Sequence, residues 1–155
     1  MSSERIPLAY EVFHWAKEKA VPLNIEMKES FAEHPEGPAI LAAMLEGMDN
    51  IHLSSFNAEL LKKMKTLKPK IETALVVKRS FSHKHVVDMH WVDSVHLHKR
   101  LYSENMLANL KSLGKEVRIF GVAGTERTLK QMYPLVCGII TDHPLRIKEK
   151  MRPPE

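Results

Sequence analysis

The sequence predicts an α/β protein, an incomplete TIM-like (β/α)8 barrel of about six βα units. Three observations predict it. Short β-branched or aliphatic runs alternate with segments of helical spacing, at about 20–25 residues per unit, as in βαβ repeats around a parallel sheet. Several of these runs carry one apolar face and one face that turns polar towards the C-terminal end, where barrels gather their chemistry. No Gly-rich phosphate loop stands early, as a doubly wound sheet would need. Gly121-Val-Ala-Gly124 follows a late run and lacks the third glycine.

In chain order the strand candidates are 22–28, 50–56, 71–77, 92–98, 116–122 and 136–141. In the first, Leu23, Ile25 and Met27 oppose Asn24, Glu26 and Lys28. In the second, Ile51 and Leu53 oppose His52, Ser54 and Phe56. In the fourth, Val95 and Leu97 oppose Ser94, His96 and His98. Helical spacing marks 8–20, 37–47, 57–67, 84–90, 103–113 and 125–133, with a short closing helix over 145–151. Asn57 and Ser103 are N-cap residues, because their side-chain oxygens accept the orphan N–H groups of a first turn. Gly114 suits the left-handed position after a helix, and Pro22 and Pro69 stand where loops feed strands. Met44, Met64 and Met132 fall on apolar helical positions and read as core, as do Trp15 and Trp91. Asp142, ahead of His143-Pro144, reads as a helix cap. Residues 1–152 form one domain and 153–155 a frayed tail.

Composition narrows the function. The chain has 155 residues, below the roughly 200 of a complete barrel. Hydrophobic residues at 44% and charged residues at 27% describe a folded chain rather than a disordered one. The formal charge of +4 suits an anionic small molecule, but the lysines are dispersed. Lys62, Lys63 and Lys65 alternate with apolar residues as a solvated helix face does, which argues against a nucleic-acid partner. No apolar stretch reaches the roughly 18 residues of a membrane span, and Met1 to Arg5 opens no signal-peptide core. A cytoplasmic protein is therefore expected. Cys137, the single cysteine, excludes an internal disulfide and sits in an apolar run as a small core residue.

Glu26 and Lys28, two apart on one strand, share a face. A carboxylate there can take a divalent cation and an ammonium a phosphate oxygen, and the pair can equally neutralise itself. His96 and His98 also share a face, a possible start of a transition-metal site, although no third ligand is evident.

Pro22-Leu-Asn-Ile-Glu-Met-Lys28 resembles the L-N-I-E-I-K segment of glycerophosphodiester phosphodiesterases. Ser55-Phe56 resembles that family's Ser-Phe pair, 69–77 its following strand, and Gly138-Ile-Ile-Thr-Asp142-His-Pro144 its closing G-I-I-T-D-x-P. Ile6-Pro7-Leu8 resembles the entry to the helix before the first of these strands. The resemblance implies hydrolysis of a small glycerophosphodiester to glycerol 3-phosphate and an alcohol, with a divalent cation, magnesium or calcium. It implies that Glu26 is one metal ligand, that Lys28 serves the phosphate, and that Phe56 and Phe120 line the substrate pocket.

The chain also departs from the family. The His-Arg-Gly strand, the Glu-x-Asp pair and the His-Asp segment do not occur in it, so no catalytic residue is assigned. About two of eight barrel strands are missing. Where the family reads W-T-V-N, this chain has Phe120, Gly121, Val122 and Ala123. The expectation is a truncated or split enzyme with little activity of its own. The alternative is a non-catalytic remnant that binds an anionic ligand or self-associates through open sheet edges.

Overall fold

A computed structural model describes residues 5–127 and 129–152, the side chain of Tyr133 apart. The tail expected at 153–155 lies outside the described residues. Six parallel strands form one sheet in the order β1 (Leu23–Glu26), β2 (Ile51–Ser55), β3 (Glu72–Val77), β4 (Ser94–His98), β5 (Glu116–Phe120) and β6 (Gly138–Ile140). Each of the six expected runs holds a strand, shortened by one or more residues at its ends. The helices are α1 (Ala9–Glu18), α2 (Gly37–Met44), α3 (Ala58–Leu67), α4 (Glu104–Ser112), α5 (Leu129–Met132) and α6 (Pro144–Lys150). Strict sequential order with helical connections is the arrangement of a barrel wall rather than of a doubly wound sheet, whose order reverses at a switch point.

The chain divides into two compact units, residues 1–73 and 74–155. In the first unit, β1 and β2 pair in register from Leu23↔Ile51 to Glu26↔Ser54. Its core holds Phe13 and Ala16 of α1, Leu41 and Ala42 of α2, Leu53 of β2, and Leu60, Leu61 and Met64 of α3. Leu61 and Met64 lie three apart on one side of α3, the spacing that turns an amphipathic helix onto a sheet. In the second unit, β3, β4, β5 and β6 pair successively. Val95, Leu97, Val117 and Ile119 are fully buried, with Leu107 and Leu110 of α4 and Leu129 of α5. Each such aliphatic side chain contributes about 1.5–3 kcal/mol by leaving water.

Both expected caps form. Asn57 Oδ1 accepts the Leu60 N–H at 3.1 Å and Ser103 Oγ the Met106 N–H at 3.1 Å. Replacing Ser103 by Ala should lower stability by about 1 kcal/mol, measured by urea unfolding, because an orphan N–H of α4 loses its acceptor. Gly114 adopts φ 69°, the left-handed turn expected after α4.

Other expectations are corrected. The helix at 84–90 is only a 3-10 turn, His83–Val86. Its histidines and the β-branched Val86-Val87 are weak helix formers, and no apolar stripe rewards a longer helix. The helix at 125–133 shrinks to Leu129–Met132 because Glu126 turns back to bind the N–H groups of Ala123 and Gly124. Cys137 is exposed rather than core, since it enters β6 at the end of the sheet. Trp15 is 50% exposed and does not pack as a core residue. Asp142 is not the cap of α6: His143 holds that position, and no side chain caps the helix. Met64 and Met132 are buried as expected, while Met44 is half-buried.

Candidate functional site

The chemistry-bearing side chains sit at the C-terminal ends of the strands, and each unit supplies its own set. In the first unit β1 places Glu26 at its last position, and Lys28 follows as the chain turns into a 3-10 segment, Glu29–Glu33. Lys28 Nζ donates to Glu26 Oε1 at 2.6 Å, so the two do share a face. Lys28 remains mostly exposed, at 69% of its side chain. The register pairs Asn24 with His52 and Glu26 with Ser54, which extends this polar face onto β2. Ser54 Oγ donates to Asn24 Oδ1 at 2.8 Å and fixes the position one turn of the pleat below Glu26.

Ser55 is fully buried and holds the strand ends together. Its hydroxyl donates to the Met27 carbonyl at 2.8 Å and accepts the Asn57 N–H at 3.0 Å. The expected Ser-Phe pair thus has one member that fastens backbone. The other, Phe56, lies just past β2 and is 44% exposed. An apolar ring left in water at a strand mouth is available to a ligand.

Glu26 alone does not suit a divalent cation. No group of three or more His, Cys, Asp or Glu side chains is arranged to hold a metal among the described residues. One oxygen of Glu26 already faces an ammonium, and a hard dication needs several oxygen ligands. The same finding leaves His96 and His98 without the third ligand that a zinc site requires.

In the second unit the register aligns His98 of β4 with Phe120 of β5. The two rings meet edge to face, with centroids 5.0 Å apart and planes at 79°. His98 Nδ1 accepts the Arg100 N–H at 3.2 Å. That hydrogen bond places the ring proton on Nε2. Burial and the cations of Arg100, Lys78 and Lys99 hold the His98 pKa below its ordinary value, so the imidazole is neutral. Gly121 makes the arrangement possible. It adopts φ 77°, and a Cβ there would stand 3.0 Å from His98 Nε2. This explains the glycine where the resembling family reads Thr.

Sequence reasoning missed Glu126. Its carboxylate accepts the N–H groups of Ala123 and Gly124, each at 2.9 Å, and the Lys99 ammonium at 2.6 Å. Burial raises its pKa, but the backbone N–H groups and Lys99 prevail and bring it down to about 2. Lys150 Nζ closes the same loop by donating to the carbonyls of Gly124 and Glu126, each at 3.0 Å. The loop after β5 is thus tied to Lys99 and Lys150 by side-chain hydrogen bonds. Gly-rich spacing was its only sequence signal, and spacing does not show a distant Lys99.

One cavity, about 750 Å3, runs beside β6 and α6 and includes Cys137, Ile139 and Ile147. Another, about 580 Å3, is lined by Phe31, Ile40, Leu41 and Met44 in the first unit. Glu26, Lys28, Phe56 and Phe120 line neither of these.

No family model and no curated protein matches the sequence. Solved structures do match its fold. A glycerophosphodiester phosphodiesterase from Parabacteroides distasonis aligns with TM-score 0.79 at 19% identity, over 94% of this chain and 64% of its own. A phosphodiesterase from Oleispira antarctica, solved with its product sn-glycerol-3-phosphate, aligns at 0.77 and 22%, over 94% and 61%. A glycerophosphodiester phosphodiesterase from Agrobacterium tumefaciens aligns at 0.72 and 16%, over 93% and 62%. The chain therefore has the fold of an incomplete TIM-like barrel and spans less than two thirds of these structures.

Proposed function

We propose that the chain carries part of a phosphodiester hydrolase site of the glycerophosphodiester phosphodiesterase type. The reaction takes a glycerophosphodiester and water to glycerol 3-phosphate and an alcohol. The Glu26–Lys28 pair at the mouth of β1 carries the reading. It sits in a segment that resembles the family's strand, within a fold shared with solved phosphodiesterases. In this reading Lys28 meets a phosphate oxygen through its exposed ammonium, and Phe56 and Phe120 give apolar walls for the ester groups. Magnesium or calcium, the cation that the resemblance implies, would take Glu26 as one ligand only beside carboxylates that the described residues do not place there. No step is assigned to a metal.

Proton transfer needs a group that titrates near working pH beside the phosphorus, and the family's histidines do not occur in this sequence. The purified chain should therefore release no glycerol 3-phosphate from glycerophosphocholine above the blank, with magnesium or calcium present. Turnover that Glu26→Ala abolishes would overturn this expectation.

A second reading is a non-catalytic barrel remnant that self-associates. It rests on β6, which ends the sheet. The Cys137 N–H bonds the Val117 carbonyl, so alternation turns the backbone groups of Gly138 and Ile140 to the open side. Under this reading the elution volume in size-exclusion chromatography falls with rising concentration; a concentration-independent monomer removes it.

A further inference from the structure

We propose that the second unit holds an anion site for a phosphate-bearing small molecule, built from Lys78, Arg100 and the Nε2–H of His98. The site does not depend on the phosphodiesterase reading.

Placement is the first argument. Val77 and Leu97 are register partners, so the next position sets Lys78 opposite His98, and His98 pairs in turn with Phe120. A cation, an imidazole and an aromatic ring thus stand in a row across three adjacent strand ends. Arg79 follows Lys78 directly, and Arg100 lies two residues beyond His98. The backbone at Ser80, with φ 44°, turns the chain sharply after this cationic pair.

Charge balance is the second. The stretches 78–87 and 94–103 contain no Asp or Glu. The nearby acid, Glu126, is fully engaged by two backbone N–H groups and Lys99. Lys78, Arg79 and Arg100 are exposed, and none pairs with a carboxylate among the described residues. Lys28, Lys68 and Lys99, by contrast, each take a glutamate. Three unpaired cations at the C-terminal ends of parallel strands form a field of one sign.

The third argument is the donor. The Arg100 N–H occupies His98 Nδ1, which leaves Nε2 as a fixed hydrogen-bond donor at the centre of the row. Its place above Gly121 and its edge-to-face contact with Phe120 hold the ring in one orientation. A neutral imidazole donates to a phosphate oxygen without repelling the cations beside it. Arginine and lysine supply the charge-assisted bonds that such an oxygen prefers.

Inorganic phosphate, titrated at pH 7.5 and constant ionic strength, tests the site. The readouts are the His98 side-chain NMR signals and isothermal titration calorimetry. Saturable binding at about millimolar concentration is expected, with a shift of the His98 Nε2 resonance. The double variant Lys78→Met, Arg100→Met should weaken it about tenfold or more, while Arg100→Lys keeps part of it. Lys111→Met, which removes one exposed charge from α4, should leave it unchanged. An unsaturating response that vanishes with added salt would reveal only general charge screening and overturn the proposal. So would binding that Lys111→Met removes and the double variant does not.

Discussion

Replacing Glu126 by Gln should destabilise the protein by about 2–3 kcal/mol at pH 7 and remove much of its acid sensitivity. The Glu126 side chain is only 12% exposed, and its carboxylate satisfies two backbone N–H groups and Lys99. Its pKa falls from 4.5 in the unfolded chain to about 2 in the folded one. At about 1.4 kcal/mol per pH unit, that span corresponds to about 3 kcal/mol. The folded pKa lies below the unfolded one, so the unfolded chain binds more protons between these values. The stabilisation is then complete above about pH 4.5 and fades as pH falls towards 2. Urea unfolding of wild type and E126Q across pH 2.5–7 measures it. The two curves should converge at the acid end, and parallel curves would contradict the assignment. Lys99→Met should cost less, about 1 kcal/mol, since both backbone hydrogen bonds to Glu126 remain.

Leu97→Ala should cost about 3–5 kcal/mol, a large share of the roughly 5–15 kcal/mol that holds a domain folded. Leu97 is fully buried on β4, paired with Val77 on one side and Ile119 on the other. Removing its branched end from a closely packed interior leaves a cavity that β-sheet neighbours cannot collapse to fill. Ile25→Ala, at a half-buried position of β1, should cost clearly less. Thermal unfolding followed by circular dichroism ranks the two, and equal losses would mean that β4 is not the interior strand described.

Much of the fold was legible before any coordinates. The six strands could be read because each apolar run is bounded by turn chemistry and is too short for a helix. Asn57 and Ser103 marked helix starts because capping is local, one side chain serving an N–H three residues away. The pair Glu26 and Lys28 could be read for the same reason, since a two-residue spacing in a strand fixes a shared face. The weak helices failed where local preference was contested. At 84–90 nothing local favoured helix strongly, and at 125–133 the Glu126 side chain consumed the turn.

By itself, then, the sequence determined the parallel α/β architecture and the polar face at the mouth of β1. Both follow from periodicities of a few residues that backbone geometry imposes everywhere. Only the tertiary structure decided that Glu126 is a half-buried anchor, that Gly121 makes room for His98, and that the charge of Lys78 acts on that imidazole. It also decided that Cys137 is exposed. These depend on strand register and on which strand ends the sheet, and register joins residues some twenty positions apart through hydrogen bonds that leave no mark on neighbouring residues.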